Sequence, residues 1–204
     1  MPDAKPILFF DTETTGMLVR GLPADDPAQP RVVQLAAVLA DAGGDVIAQL
    51  STLIRPDGWT VSEGARDVHG ISTDRCAAYG VPIAAAVGLF DALCGVAGEL
   101  VAHNLSFDER VLGAEYGRLG RPDFAGGLVG FCTMQAATPV CRLPGRQGFK
   151  WPTLAEAHRH LIGTDFVDAH DALADVLACM RCYFELKQRA AAKANGQATA
   201  PAPS

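Results

Sequence analysis

Asp11 and Glu13 close the apolar run Ile7-Leu8-Phe9-Phe10. Residues two apart on a strand share a face, so the two carboxylates project together. Like charges side by side cost energy unless a cation offsets them. The stretch Asp11-Thr12-Glu13-Thr14-Thr15-Gly16 also fits an ordinary polar turn after a strand. Asp108 has Val111 and Leu112 three and four positions on, which gives it apolar neighbours on a helix stripe. An unpaired carboxylate facing a core is expensive; the plainer alternative is a first-turn acid favoured by the positive end of the helix dipole. Asp175 lies one turn into a helical pattern on a small, apolar face with Ala172, Ala178 and Cys179. Asp171 is the natural N-cap there, which leaves Asp175 without a capping role. His170 stands five residues before Asp175, where a side chain can swing while the carboxylate stays fixed. It also fits a plain surface histidine.

Taken in order, these positions supply four carboxylates from three segments and one imidazole. Hard oxygen ligands suit Mg²⁺ or Mn²⁺. Two such ions about 4 Å apart stabilise both the attacking and the leaving oxygen of an in-line phosphoryl displacement.

The elements that must position these groups follow from periodicity. Ile7 to Thr12 reads as a buried strand, Arg31 to Ala40 as a second, and Val46 to Arg55 as a third after the turn Asp41 to Asp45. The Pro/Asp-rich stretch from Gly21 to Pro30 has no element of its own. After Pro82 the apolar positions take a helical period, and Leu100 to His103 makes a short strand. Ser106-Phe107-Asp108-Glu109 matches a capping box and opens a helix reaching about Leu119. Leu128 to Cys132 is a further short strand, Thr153 to Leu161 a helix, and Asp171 to about Arg189 the last helix. A three-strand meander followed by alternating helices and strands predicts an α/β fold, a mixed sheet with helices on both faces. Residues 1–189 are expected as one domain, with the Ala- and Pro-rich 190–204 as a flexible tail.

Four ordered motifs resemble a known family. They are Phe9-Phe10-Asp11-Thr12-Glu13-Thr14-Thr15-Gly16-Met17, Val68-His69-Gly70-Ile71-Ser72, Val101-Ala102-His103-Asn104-Leu105-Ser106-Phe107-Asp108 and His170-Asp171-Ala172-Leu173-Ala174-Asp175. Together they resemble the DEDD-type 3′→5′ exonucleases of the histidine subclass, which include the proofreading subunits of bacterial replicative DNA polymerases. The tyrosine subclass would carry Tyr where Asp171 stands. The resemblance spans roughly Pro6 to Leu186 and implies a ribonuclease-H-like fold with two divalent cations. Asp11, Glu13 and Asp175 would hold the first cation. Asp11 would bridge to the second, with Asp108 contributing directly or through water. His170 would be the general base, a task suited to a side chain type that titrates near neutrality. Thr14, Thr15, Gly16 and Met17 would line the terminal nucleotide, His69 and Ile71 would meet its sugar and base, and Asn104 and Phe107 would complete the contacts. The implied substrate is a single-stranded or frayed 3′ end, DNA first and RNA as the alternative, with a DNA polymerase as a possible partner. His69-Gly70 also reads as an ordinary turn, and Phe107 as a core residue.

Composition narrows the remaining classes. With 204 residues, 49% hydrophobic and 20% charged, the chain is long enough for one well-packed core. No window offers the roughly 18 uninterrupted apolar residues of a membrane span, and no secretory signal opens the chain, so a cytoplasmic location is expected. A net charge of −6 argues against coating nucleic acid by charge alone. Cys179-x-x-Cys182 has no second pair at zinc-site spacing, which leaves buried reduced thiols as the default for the six cysteines. Cys141 to Trp151 is basic, contains glycine and carries two aromatics. On composition it fits a grip on a nucleic acid strand or a solvated loop with Trp151 packed beneath it.

Overall fold

A computed structural model describes residues 5–23, 26–122, 124 and 126–196. Its strands are β1 (Ile7–Thr14), β2 (Val32–Ala40), β3 (Val46–Leu53), β4 (Glu99–Ala102) and β5 (Val129–Cys132). Its helices are α1 (Glu63–His69), α2 (Thr73–Tyr79), α3 (Ile83–Cys94), α4 (Leu105–Arg118), α5 (Thr133–Cys141), α6 (Leu154–Ile162) and α7 (Ala172–Ala194). The strands form one sheet in the order β3-β2-β1-β4-β5. β1, β2 and β3 pair antiparallel, as the expected meander requires, whereas β4 lies parallel to β1 and β5 parallel to β4. The ribonuclease-H-like mixed sheet expected from the sequence is therefore the observed fold.

Alternation along β1 decides what each helix meets. Leu8 and Phe10 join Phe90, Val111, Leu112 and Tyr116 in the core beneath α3 and α4. Ile7 and Phe9 join Ala172, Val176, Cys179 and Tyr183 beneath α7. Burying such side chains contributes about 1.5–3 kcal/mol each, so the two-sided apolar strand commits helices to both faces. By the same alternation Asp11 and Glu13 turn to the α7 side and Thr12 to the α4 side.

Several sequence expectations need correction. α1 and α2 were not foreseen, since α1 buries no side chain and α2 only Cys76, leaving no apolar stripe to detect. His69-Gly70 is a helix end rather than an isolated turn, with Gly70 at φ 70° capping α1. α5 was also missed; it carries Pro139 in its interior, which masks its period. The capping box at Ser106 does not form. α4 starts at Leu105, behind Asn104 in the left-handed conformation at φ 70°, because Leu105 is drawn into the core. α7 runs on to Ala194, past the Arg189 limit expected for it; of the proposed tail, residues 197–204 lie outside the described residues. The foreseen capping of α7 by Asp171 is present, and Thr153, expected as the first residue of α6, proves to be its cap. All six cysteines are free. Among the described residues, no helix is long and apolar enough to cross a membrane.

Candidate active site

At the carboxyl end of β1, the α7 face gathers Glu13, His170 and Asp175. One ligand atom from each lies within 4.8 Å of the others. The start of α7 is held over β1 by Gln34, which sits opposite Glu13 in the register. Gln34 donates through Nε2 to Asp171 Oδ2 at 3.0 Å, and its Oε1 accepts from the Ala172 N–H at 3.1 Å. Asp171 Oδ1 accepts from the N–H groups of Leu173 and Ala174. With the helix origin fixed this way, Asp175 hangs one turn in, above the strand. Its Oδ2 accepts the His170 N–H at 3.3 Å, while its buried Oδ1 has no hydrogen-bond partner among the described residues. His170 itself is exposed at φ 71°, a conformation uncommon outside glycine.

Asp108 arrives from the other side. It is only 3% exposed, and its Oδ1 accepts from the Thr12 hydroxyl at 2.7 Å and the Thr12 N–H at 3.1 Å. The first-turn reading of Asp108 is thus incomplete: the residue is in the first turn of α4, yet its carboxylate binds β1.

The electrostatics reflect crowding without a counter-charge. Burial, then the charges of Asp108, Asp175, Glu13 and Asp171, hold the Asp11 carboxyl well above the usual range. Burial, with Asp175 and Asp108 next, pushes Glu13 up to about 8. Asp108 rises to about 7 by burial, against the opposing pull of the Thr12 bonds. Asp175 rises to about 6, again through burial, with the His170 N–H and imidazole pulling it down. An orphaned buried oxygen, several carboxylates raising one another, and an all-oxygen donor set beside one imidazole fit a divalent cation.

Two clefts flank this cluster. One, of about 390 Å³, is lined by Thr12, Glu13, Thr14, Gly16, Met17 and Phe107 from one wall, with α1 opposite. The other, of about 490 Å³, is lined by Gln34, His69, Ile71, Arg75, His170 and Asp171 among others. His69 borders both. Its Nδ1 accepts the Ile71 N–H at 3.0 Å, which leaves the proton on Nε2 to donate to the Thr14 carbonyl at 3.2 Å. Burial holds this imidazole below its ordinary value.

The predicted nucleotide contacts separate on inspection. Met17 is 79% exposed and Phe107 half-buried, so both offer surface to a ligand. The Thr14 hydroxyl donates to Gly16 O, and the Thr15 hydroxyl accepts the Arg31 N–H, so these two side chains brace their own loop. Ile71 is 3% exposed and packs chiefly with Val33 and Cys76. Asn104 stands at the N-cap position of α4 without a side-chain capping bond and is not among the residues lining either cleft. Sequence reasoning missed Gln34 and Thr12. Each had a signal: Gln34 is the lone polar residue in Val32–Ala40, and Thr12 lies on the apolar face of β1. A larger cavity of about 690 Å³ opens beside Lys5, Asp91, Tyr116 and Arg121, away from the carboxylates. There Asp91 is already engaged by the Tyr116 hydroxyl and by Arg121.

Comparison with known proteins agrees with this geometry. Among solved structures, the chain is similar to E. coli Exonuclease I in complex with a dT13 oligonucleotide, at 23% identity and a TM-score of 0.72, covering 94% of this chain and 43% of that one. It is also similar to the zinc ion-bound form of an E. coli ExoI–ssDNA complex, at 25% identity and a TM-score of 0.70, covering 91% of this chain and 41% of that one. The chain therefore spans about two fifths of the length of these proteins. No curated protein sequence matches it. The family model described as Exonuclease (RNase_T) matches residues 8–183, nearly all of the sheet and its helices, and on that match the chain belongs to this exonuclease family.

Proposed function

We propose that the protein is a metal-dependent 3′→5′ exonuclease of the histidine subclass, acting on single-stranded or frayed DNA ends and releasing nucleoside 5′-monophosphates. The observation that carries this reading is the convergence of Glu13, His170 and Asp175 beside Asp11, with one Asp175 oxygen buried and unpartnered among the described residues. DNA is favoured over RNA as the substrate because the similar structures hold DNA oligonucleotides. A cytoplasmic setting is supported by six unpaired thiols, the state a reducing compartment maintains.

Asp11, Glu13 and Asp175 would hold one Mg²⁺ or Mn²⁺ ion, and Asp11 with Asp108 a second. Such ions lower the pKa of bound water and offset charge on the scissile phosphate. His170 accepts the proton of the attacking water: it is exposed, reaches the carboxylate cluster, and its backbone is tied to Asp175, so the ring moves about a fixed anchor. Gln34 sets where the α7 carboxylate sits, and Asp108, gripped by Thr12, fixes the opposite wall. Met17 and Phe107 supply the apolar surface for the terminal base, while His69 braces the Thr14–Gly16 turn beneath it.

The test is an end-labelled oligonucleotide incubated with Mg²⁺ or Mn²⁺, run beside its RNA counterpart. Stepwise shortening from the 3′ side is expected, faster on DNA. His170→Ala is expected to slow it by about 10²–10⁴-fold, the usual contribution of a positioned base, while strand binding persists. Shortening from the 5′ side, or full activity in chelator, ends the proposal.

A further inference from the structure

The segment between α5 and α6 takes no part in the site above. Residues 143–150 form a small hairpin. Pro144 bridges Phe149 antiparallel, the Gly145 N–H donates to Gly148 O, and the Lys150 N–H donates to Leu143 O, both at 2.9 Å. Glycine is required in it: Gly148 adopts φ 83°, and a Cβ on Gly145 would meet the Lys150 nitrogen at 2.9 Å. The backbone is thus well held, yet its large side chains are not packed. Phe149 is 52% and Trp151 65% exposed, which removes the alternative in which Trp151 packs beneath the loop. Lys150 is neutralised by Glu156. Arg142 and Arg146 are exposed and enter no ion pair among the described residues; Arg142 Nε donates to the Pro139 carbonyl at 3.3 Å, and its charge stays uncompensated.

The hairpin is rooted at the carboxylate end of the sheet. Pro152 O accepts from His103 Nε2 at 3.0 Å, and His103 follows the last residue of β4. His103 Nδ1 lies 3.0 Å from the Thr133 hydroxyl, which is 3.4 Å from Cys179 Sγ, one turn beyond Asp175 on α7. β4 is parallel to β1, so this end of β4 is also the end that carries Asp11 and Glu13.

Exposed aromatics beside unpaired guanidinium groups are the chemistry that holds a single strand: bases stack on rings, and phosphates take the cations. In a chain of net charge −6, cations without carboxylate partners at this edge complement a polyanion. We propose that the 143–151 hairpin is a second contact for single-stranded nucleic acid. It holds bases 5′ of the terminal nucleotides on Phe149 and Trp151, and phosphates through Arg142 and Arg146. The identity of the ligand rests on the exonuclease reading, but the contact is separable from catalysis.

The experiment is fluorescence anisotropy of 5′-labelled dT15 and dT3 in chelator, where no hydrolysis proceeds. Phe149→Ala/Trp151→Ala is expected to weaken dT15 binding by at least about tenfold, the scale of lost base stacking, and to leave dT3 binding as it was. Arg146→Glu is expected to reduce the salt dependence of dT15 binding by about one phosphate contact. Tyr79→Ala removes a comparably exposed aromatic from α2 and is expected to bind as the unaltered protein does. Equal dT15 affinity in the double variant, equal losses on dT3 and dT15, or no dT15 binding by the unaltered chain each overturn the hairpin contact. A chain that binds dT15 through the hairpin yet never shortens it with Mg²⁺ or Mn²⁺ retains the contact and removes the exonuclease reading instead.

Discussion

The two faces of β1 treat their acids differently. On the α4 face, Asp108 is buried with one oxygen already engaged, which takes both the hydroxyl and the N–H of Thr12. On the α7 face, Asp175 has a buried oxygen with no partner, next to Glu13 and Asp11, whose carboxyls are raised by burial and by one another. One face builds a wall and the other leaves a charge deficit. β1 thus meets an acid from α4 braced by its hydrogen bonds and an acid from α7 with an unbonded oxygen, and the bonds distinguish them.

This contrast is broken most severely at Asp175. Asp175→Ala is expected to lower exonuclease rates by at least about a thousandfold, since several kcal/mol of charge stabilisation are lost, with the fold retained by circular dichroism. Substantial residual activity would mean the orphaned oxygen is not where a cation sits. Thr12→Val sharpens the other side. It preserves shape but removes a hydrogen bond to a carboxylate, so a stability loss of about 1.5–3 kcal/mol is expected in urea unfolding, with a much smaller rate loss than Asp175→Ala. Equal damage to catalysis from both variants would erase the distinction between the faces.

The smallest effect is on stability against pH. For acids raised in the folded state, the folded form binds more protons, so stability is fully present below the unfolded pKa and is lost as pH rises through the folded one. With Glu13 at about 8 and Asp108 at about 7, the metal-free protein should lose thermal stability between about pH 6.5 and 8.5. His103, pushed down to about 4 by burial, acts in the opposite direction, but only below the ordinary histidine range near 6.5. Mg²⁺ or Mn²⁺ should raise Tm more at pH 8 than at pH 6.5. A Tm shift independent of pH would separate cation binding from these carboxylates.

Much of this was legible in the chain. The β1 acids stood out because they interrupt an apolar strand, and Asp171 was recognisable as a cap because its duty lies within three residues. Asp108 was harder to read. Helix spacing allowed both a dipole role and a buried role, and the deciding partner, Thr12, is 96 positions away. Asn104 and Ile71 look like ligand contacts within their motifs, but their motifs could not show that Asn104 stands at the N-cap position of α4 or that Ile71, while bordering a cleft, also packs with Val33 and Cys76.

Periodicity, caps and like charges two residues apart act over a turn or a strand, so the sequence alone determined the mixed sheet, the order of its main elements and the acidic residues worth watching. Tertiary structure decided which of those acids find partners. The Gln34 clamp on Asp171 and Ala172 spans 137 and 138 positions, and the lone Asp175 oxygen exists only once β1, β2 and α7 have met. Hydrogen-bond satisfaction is a property of packed neighbours, and no local pattern encodes it.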